Sequence, residues 1–105
     1  PSAVFATSTS ILSGVLSAIL DAGLTVPEDI SISSFGEPNI PAFFRPQITC
    51  IARYPELIGE KAGMIALQRM EEYSSGTRRP PETIIIHSDM RLGTSVKELS
   101  ENAQP

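Results

Sequence analysis

The sequence predicts an α/β fold that opens with a parallel strand pair, and three observations carry that reading. Ile11, Leu12, Val15, Leu16, Ile19 and Leu20 recur at helical spacing. Gly23 then stops the helix, because a glycine enters the left-handed conformation without a Cβ penalty, and Leu24 folds back onto Ile19. Pro27 forbids further helix and forces Val26 extended, after which Ile30 and Ile32 alternate with Ser31 and Ser33 as a strand does. With the apolar run Ala3-Val4-Phe5-Ala6 ahead of the helix, the order is strand, helix, strand. Such a unit calls for a right-handed crossover and parallel pairing.

The first strand is thus Ala3 to Ala6. Ser8 or Thr9 supplies the oxygen that caps the following helix. Gly14, inside that helix, weakens it by about 1 kcal/mol against alanine, which close packing would explain. Ile30 to Phe35 is the second strand, and Gly36-Glu37-Pro38-Asn39-Ile40-Pro41 is a breaker-rich loop. Gln47 to Ala52 alternates and is rich in β-branched residues, giving a third strand. Pro55 opens a second helix with Glu56 at the favourable end of its dipole; Leu57, Ile58, Ala62, Ile65, Ala66 and Met70 form its apolar face. After an exposed loop at Ser74 to Pro81, Thr83-Ile84-Ile85-Ile86-His87 reads as a fourth strand and Met90-Arg91-Leu92 as a short fifth. From Gly93 onwards the chain turns polar and is expected to fray.

Composition narrows the function classes. A chain of 105 residues buries roughly two thirds of its unfolded surface, enough for one core. Its formal charge of −4 argues against direct contact with DNA phosphates. Cys50 is the only cysteine, so no internal disulfide forms, a reducing compartment is favoured, and one cysteine with one histidine cannot build a zinc site. No apolar run is long enough to span a membrane. The chain opens in an apolar strand without an initiator methionine, which points to a part upstream of it.

No catalytic constellation stands out, and the chain is not expected to be an enzyme or to carry a cofactor or metal. His87, Ser88 and Asp89 are sequence neighbours, and neighbours on a strand point to opposite faces rather than converging as a triad must. The Thr7-Ser8-Thr9-Ser10 cluster lies where open α/β sheets bind ligands, at the carboxyl end of a strand and the start of a helix. It serves either as a cap alone or as a ligand contact. Gly36, at the carboxyl end of the next strand, faces the same crevice. Arg53, after the third strand, is either a solvated hinge residue or the partner of an acidic ligand. Phe43 and Phe44 either form an oligomer contact or tuck under the sheet edge.

Five segments in order resemble the effector-binding domain of the lactose-repressor (LacI/GalR) family of bacterial transcription regulators. They are Ala3 to Ala6 with the helix Ile11 to Gly23; Val26-Pro27-Glu28-Asp29-Ile30-Ser31, the most specific; Pro46-Gln47-Ile48-Thr49-Cys50-Ile51; and Leu57-Ile58-Gly59 with Ala62. The resemblance runs from about Pro1 to Ser95. It implies a partial, periplasmic-binding-protein-like domain: a three-layer, mainly parallel sheet with flanking helices. Residues 1–52 would belong to the C-terminal lobe, 53–89 to a helix-plus-strand segment of the N-terminal lobe, and 90–105 to a returning short strand and frayed tail. Ser8, Thr9, Gly36 and Arg53 would touch the ligand, while Ser13, Phe43 and Phe44 would lie at a homodimer interface.

The same resemblance implies a small-molecule effector, DNA contact only through an N-terminal headpiece outside this chain, no membrane association, and a cytoplasmic location. The alternative is the solute-binding protein of a transporter, which shares the fold. Two departures bear on the ligand. Ser8-Thr9 stand where the family usually has Asn-Asp, and Ser34-Phe35-Gly36-Glu37 stand where it has Gly-Phe/Tyr-Asp-Asp. Losing the cleft aspartate at Gly36, with Arg53 where the family often has Gln, shifts the expected effector from a neutral sugar towards a sugar acid or phosphorylated metabolite.

Overall fold

The computed structural model describes residues 1–100, with the elements β1 (Ala3–Ala6), α1 (Thr9–Asp21), β2 (Ser31–Phe35), β3 (Thr49–Ala52), α2 (Pro55–Ser75) and β4 (Asp89–Arg91). The chain divides into two compact units, one comprising Pro1–Arg53 with the residues from Asp89 onwards, the other Tyr54–Ser88.

The first unit is an open, mainly parallel α/β sheet of strand order β1-β2-β3-β4. β1 pairs parallel to β2 with Ala6 opposite Ser34, and β2 pairs parallel to β3 with Ser34 opposite Cys50. β4 closes the sheet antiparallel, Ile51 opposite Met90. Pleating sorts the side chains. Ala6, Ile32, Ile48, Cys50 and Ala52 are buried, whereas Phe5 and Met90, on alternate positions, are 52% and 69% exposed. Leu12 and Ile19 of α1 join Ala6, Ile32 and Ile48 in the core, with Val15, Leu16, Val26, Ile30 and Ile40 packed against it. Each large aliphatic side chain withdrawn from water this way contributes roughly 1.5–3 kcal/mol.

The joint between α1 and β2 follows from its residues. The Leu24 N–H reaches the Ile19 carbonyl at 3.1 Å and the Gly23 N–H the Leu20 carbonyl at 3.0 Å, with Gly23 at φ +72°. This paired closure satisfies carbonyls the helix end leaves open. The next turn is clasped by Asp29, whose carboxylate accepts from the Thr25 N–H at 2.7 Å and the Thr25 hydroxyl at 2.9 Å, while the Asp29 N–H returns to the Thr25 carbonyl at 2.9 Å. The Thr25 backbone N–H first, then its hydroxyl, hold the Asp29 carboxyl below the usual carboxylate range.

The segment after β4 corrects one expectation. Rather than fraying from Gly93, the chain is stitched along β2 and β3. The Ser95 hydroxyl donates to the Ile32 carbonyl and accepts from the Thr49 N–H at 2.9 Å, and the Ser95 carbonyl accepts from the Ile32 N–H at 2.9 Å. Thr94 and Gln47 exchange two further bonds, and the Lys97 N–H reaches the Ser31 hydroxyl at 3.0 Å. Ser95 is fully buried. Polar composition misled because these side chains satisfy strand backbone rather than water. A Cβ on Gly93 would lie 2.1 Å from the Gln47 carbonyl oxygen, so only glycine fits this approach. The expected tail's residues 101–105 lie outside the described residues.

The second unit holds α2, opened by Pro55 at its first turn and closed by Gly76 at φ +76°. The Thr77 N–H reaches the Glu72 carbonyl at 2.9 Å and the Gly76 N–H the Tyr73 carbonyl at 3.3 Å. Glu72 pairs with Arg69 and Arg79, and the Arg69 guanidinium donates to the Arg79 and Pro80 carbonyls at 2.9 and 2.8 Å. No α2 residue is buried, so the apolar face expected at Leu57, Ile58 and Met70 is solvent-exposed here. The strand expected at Thr83–His87 does not form. Its β-branched residues suit a strand, but the strands found among the described residues all belong to the first unit, leaving this run without a ladder partner.

Two stability predictions follow from these contacts. Ser95→Ala leaves the Thr49 N–H and Ile32 carbonyl without that partner, and should lower unfolding free energy by about 1–3 kcal/mol in urea denaturation; a change below about 0.5 kcal/mol, the range of ordinary surface substitutions, would refute the clasp. Because the folded-state pKa of Asp29 is depressed, its contribution is present above the unfolded carboxylate pKa and lost as pH falls through the folded one. Asp29→Asn should therefore be less stable than the parent at neutral pH and converge with it in acid; a pH-independent difference would contradict this.

Candidate functional site

The three parallel strands deliver their carboxyl ends to one edge of the sheet. Past that edge come Thr7 and Ser8 after β1, Gly36 after β2, and Arg53 after β3. The Gly36 N–H continues the ladder by reaching the Ile51 carbonyl at 2.9 Å, and the buried Ser34 hydroxyl donates to the Gly36 carbonyl at 2.9 Å. These bonds hold Gly36 at φ +97°, a left-handed backbone that L side chains rarely adopt.

Arg53 fills the space that the missing Cβ leaves. A Cβ at position 36 would sit 3.2 Å from the Arg53 Nε and 3.3 Å from its Nη2. The guanidinium carbon lies 5.3 Å from the centroid of the Phe35 ring, within cation–π range. The Nε is buried and has no hydrogen-bond partner among the described residues. Two residues read separately from the sequence, Gly36 and Arg53, are thus in contact. Phe35 and Ser34, which complete the arrangement, were read from sequence only within the strand end Ser34-Phe35-Gly36-Glu37, with no role in holding Arg53 expected of them. The only signal was their position beside Gly36, since register across strands is not written in either segment. Tyr54, next in the chain, has φ +52°.

Ser8 caps α1, its hydroxyl accepting from the Ile11 N–H at 3.2 Å. That use leaves the hydroxyl proton available to an acceptor. Thr9, the first residue of α1, lines a crevice of about 390 Å³ with Ser13 and Leu16 on one side and Pro38, Asn39 and Ile40 on the other. The crevice joins a residue expected to bind ligand, Thr9, to one expected at an interface, Ser13.

The loop beyond is shaped by two donors. The Gln47 side chain reaches the Pro41 carbonyl at 3.3 Å and also the Phe44 carbonyl, and Arg45 Nη1 reaches the Ala42 and Phe44 carbonyls at 2.6 and 2.9 Å. Phe43 is left 87% exposed and Phe44 40%, so Phe43 does not tuck under the sheet. Glu37 pairs with Arg91 of β4. Cys50 is a free, buried thiol, pushed up by burial and further by Glu37, and stays protonated at neutral pH. Among the described residues no cluster of three His, Cys, Asp or Glu side chains could hold a metal, and no helix is long and apolar enough to cross a membrane.

The periplasmic binding protein-like domain matches residues 1–96. The HTH-type transcriptional repressor PurR of Actinobacillus pleuropneumoniae is 34% identical over 101 residues, covering 96% of this chain and 30% of that protein. The chain thus spans about a third of the length of such relatives. A putative LacI transcriptional regulator from Bacillus cereus subsp. cytotoxis superposes with a TM-score of 0.81 at 26% identity, over 92% of this chain and 33% of that one. A LacI family transcriptional regulator from Enterococcus faecalis with bound ribose gives a TM-score of 0.80 at 21% identity, over 94% of this chain and 36% of the other. The chain belongs to the periplasmic binding protein-like domain family, and the relatives and structures it resembles are LacI-type regulators.

The positive φ and the Arg53 contact make Gly36 the least replaceable position of this edge. Gly36→Ala should cost about 1–3 kcal/mol of stability, read by thermal or urea unfolding. Unchanged stability would mean that the left-handed turn is not held in the folded protein.

Proposed function

We propose that this chain is the effector-binding and dimerising part of a LacI-type transcriptional regulator, taking a sugar or sugar-acid-like ligand. The observation that carries the reading is the alignment of Ser8–Thr9, Gly36 and Arg53 along the carboxyl edge of three parallel strands, where open α/β sheets hold ligands. The likeness to a regulator with bound ribose supports a sugar-like effector. Relatives named as HTH-type repressors favour the regulator over a transporter's solute-binding protein. The parent protein would be cytoplasmic and non-enzymatic, and would reach DNA through a helix-turn-helix domain outside this chain, consistent with a net charge of −4 here.

In this reading, residues 1–52 are part of the C-terminal lobe, and 53–89 are part of the N-terminal one. The change of compact unit at Arg53/Tyr54 and again at Ser88/Asp89 supports that assignment. An effector that binds the closed arrangement of the lobes better than the open one shifts the population towards closure, and so repositions the DNA-binding domain. The exposed Phe43 and Phe44, with Ser13 on α1, form the homodimer contact.

Two measurements test this. A thermal-shift screen of neutral and acidic sugars on the intact protein should yield at least one stabilising ligand, and Ser8→Ala with Thr9→Ala should abolish its effect; a full screen without a hit would contradict the reading. Sedimentation should give a dimer that Phe43→Glu weakens by at least about tenfold, the scale of an interface hot spot. A parent protein that stays monomeric at micromolar concentration would exclude the dimer.

A further inference from the structure

We propose that Arg53 is an anion anchor, and that the effector carries a carboxylate or phosphate which pairs with its guanidinium. The inference deepens the effector-binding reading and rests on it. Four observations converge on this residue. Its Nε is buried without a hydrogen-bond partner, and Arg53 makes no ion pair among the described residues. Glu37, which follows Gly36 at the end of β2, is engaged by Arg91, so it is not the partner that Arg53 lacks. The guanidinium is positioned rather than loose: the Phe35 ring supports it on one side, and the bare Gly36 backbone lies against it on another. Ser34 and the Ile51 carbonyl fix that backbone in turn.

A planar guanidinium held this way keeps its remaining donors in a fixed fork, which matches the paired oxygens of a carboxylate or phosphate. A neutral hydroxyl would satisfy one donor and leave the charge uncompensated. The absence of a Cβ at position 36 belongs to the same device, because a Cβ there would sit 3.2 Å from the Arg53 Nε and force the guanidinium to shift. A sugar whose ring meets Ser8 and Thr9, and whose acidic substituent reaches Arg53, would span the carboxyl ends of β1 and β3.

The test is calorimetry on the intact protein with four probes: ribose 5-phosphate, gluconate, ribose and glucose. At least one anionic probe should bind about tenfold or more tightly than its neutral counterpart, the scale of a charge-assisted hydrogen bond. Preference for ribose 5-phosphate or for gluconate separates the phosphate from the carboxylate. Arg53→Gln should remove that advantage, Arg53→Lys should keep part of it, and rising salt should weaken the anionic probe selectively. Circular dichroism confirms that the variants fold; where Arg53→Gln does not, the salt dependence of the parent decides. Neutral sugars binding as tightly as anionic ones, or an anionic affinity unmoved by Arg53→Gln, would overturn the anchor while leaving the effector reading in place. Binding of none of the four would overturn the anchor, and the wider thermal-shift screen then decides the effector reading.

Discussion

Everything at the candidate site depends on three short strands running the same way in register. A parallel pair cannot be joined by a tight turn, so each connection must travel the length of the sheet. The helix α1 makes one of those returns and a proline-rich loop the other. The consequence is chemical. Each strand exits at the same edge, and the residues just past Ala6, Phe35 and Ala52 are neighbours although they are far apart in sequence. A capping serine, a glycine in a left-handed turn and an arginine then share one rim.

The register is itself reinforced from an unexpected direction. Ser95 bonds to both Ile32 and Thr49, so a residue from beyond β4 ties together the two central strands near their starts. Gly93 permits the close approach, and Lys97 extends the contact to Ser31 and Glu28. The ladder is thus held at one end by the Ser95 clasp and at the other by the Gly36 turn. By contrast, α2 buries none of its residues.

Much of this was readable from the residues. The helix spacing of Ile11 to Leu20, the stop at Gly23 and the alternation after Ile30 are local signals, and local signals survive in any tertiary context that agrees with them. The edge position of Thr7 to Ser10, Gly36 and Arg53 followed from strand ends alone. What was not readable depended on partners. Thr83 to His87 has strand composition but no strand beside it. Ser95 looks like a tail residue until the gap it fills is known. The Arg53 contact with Phe35 and Gly36 requires the register between β2 and β3, which neither segment encodes by itself. The resemblance to LacI-type regulators supplied the family, which the similarity to PurR repressors and LacI-type structures bears out, but not the geometry of that contact.

The central claim is that three strand ends act as one ligand edge. Amide hydrogen exchange on the intact protein, with and without a bound sugar or sugar phosphate, tests it most directly. Exchange should slow together at residues 7–10, 36–37 and 52–54 when ligand is added. Slowing at only one of the three, or at none while affinity is measurable, would contradict the shared edge.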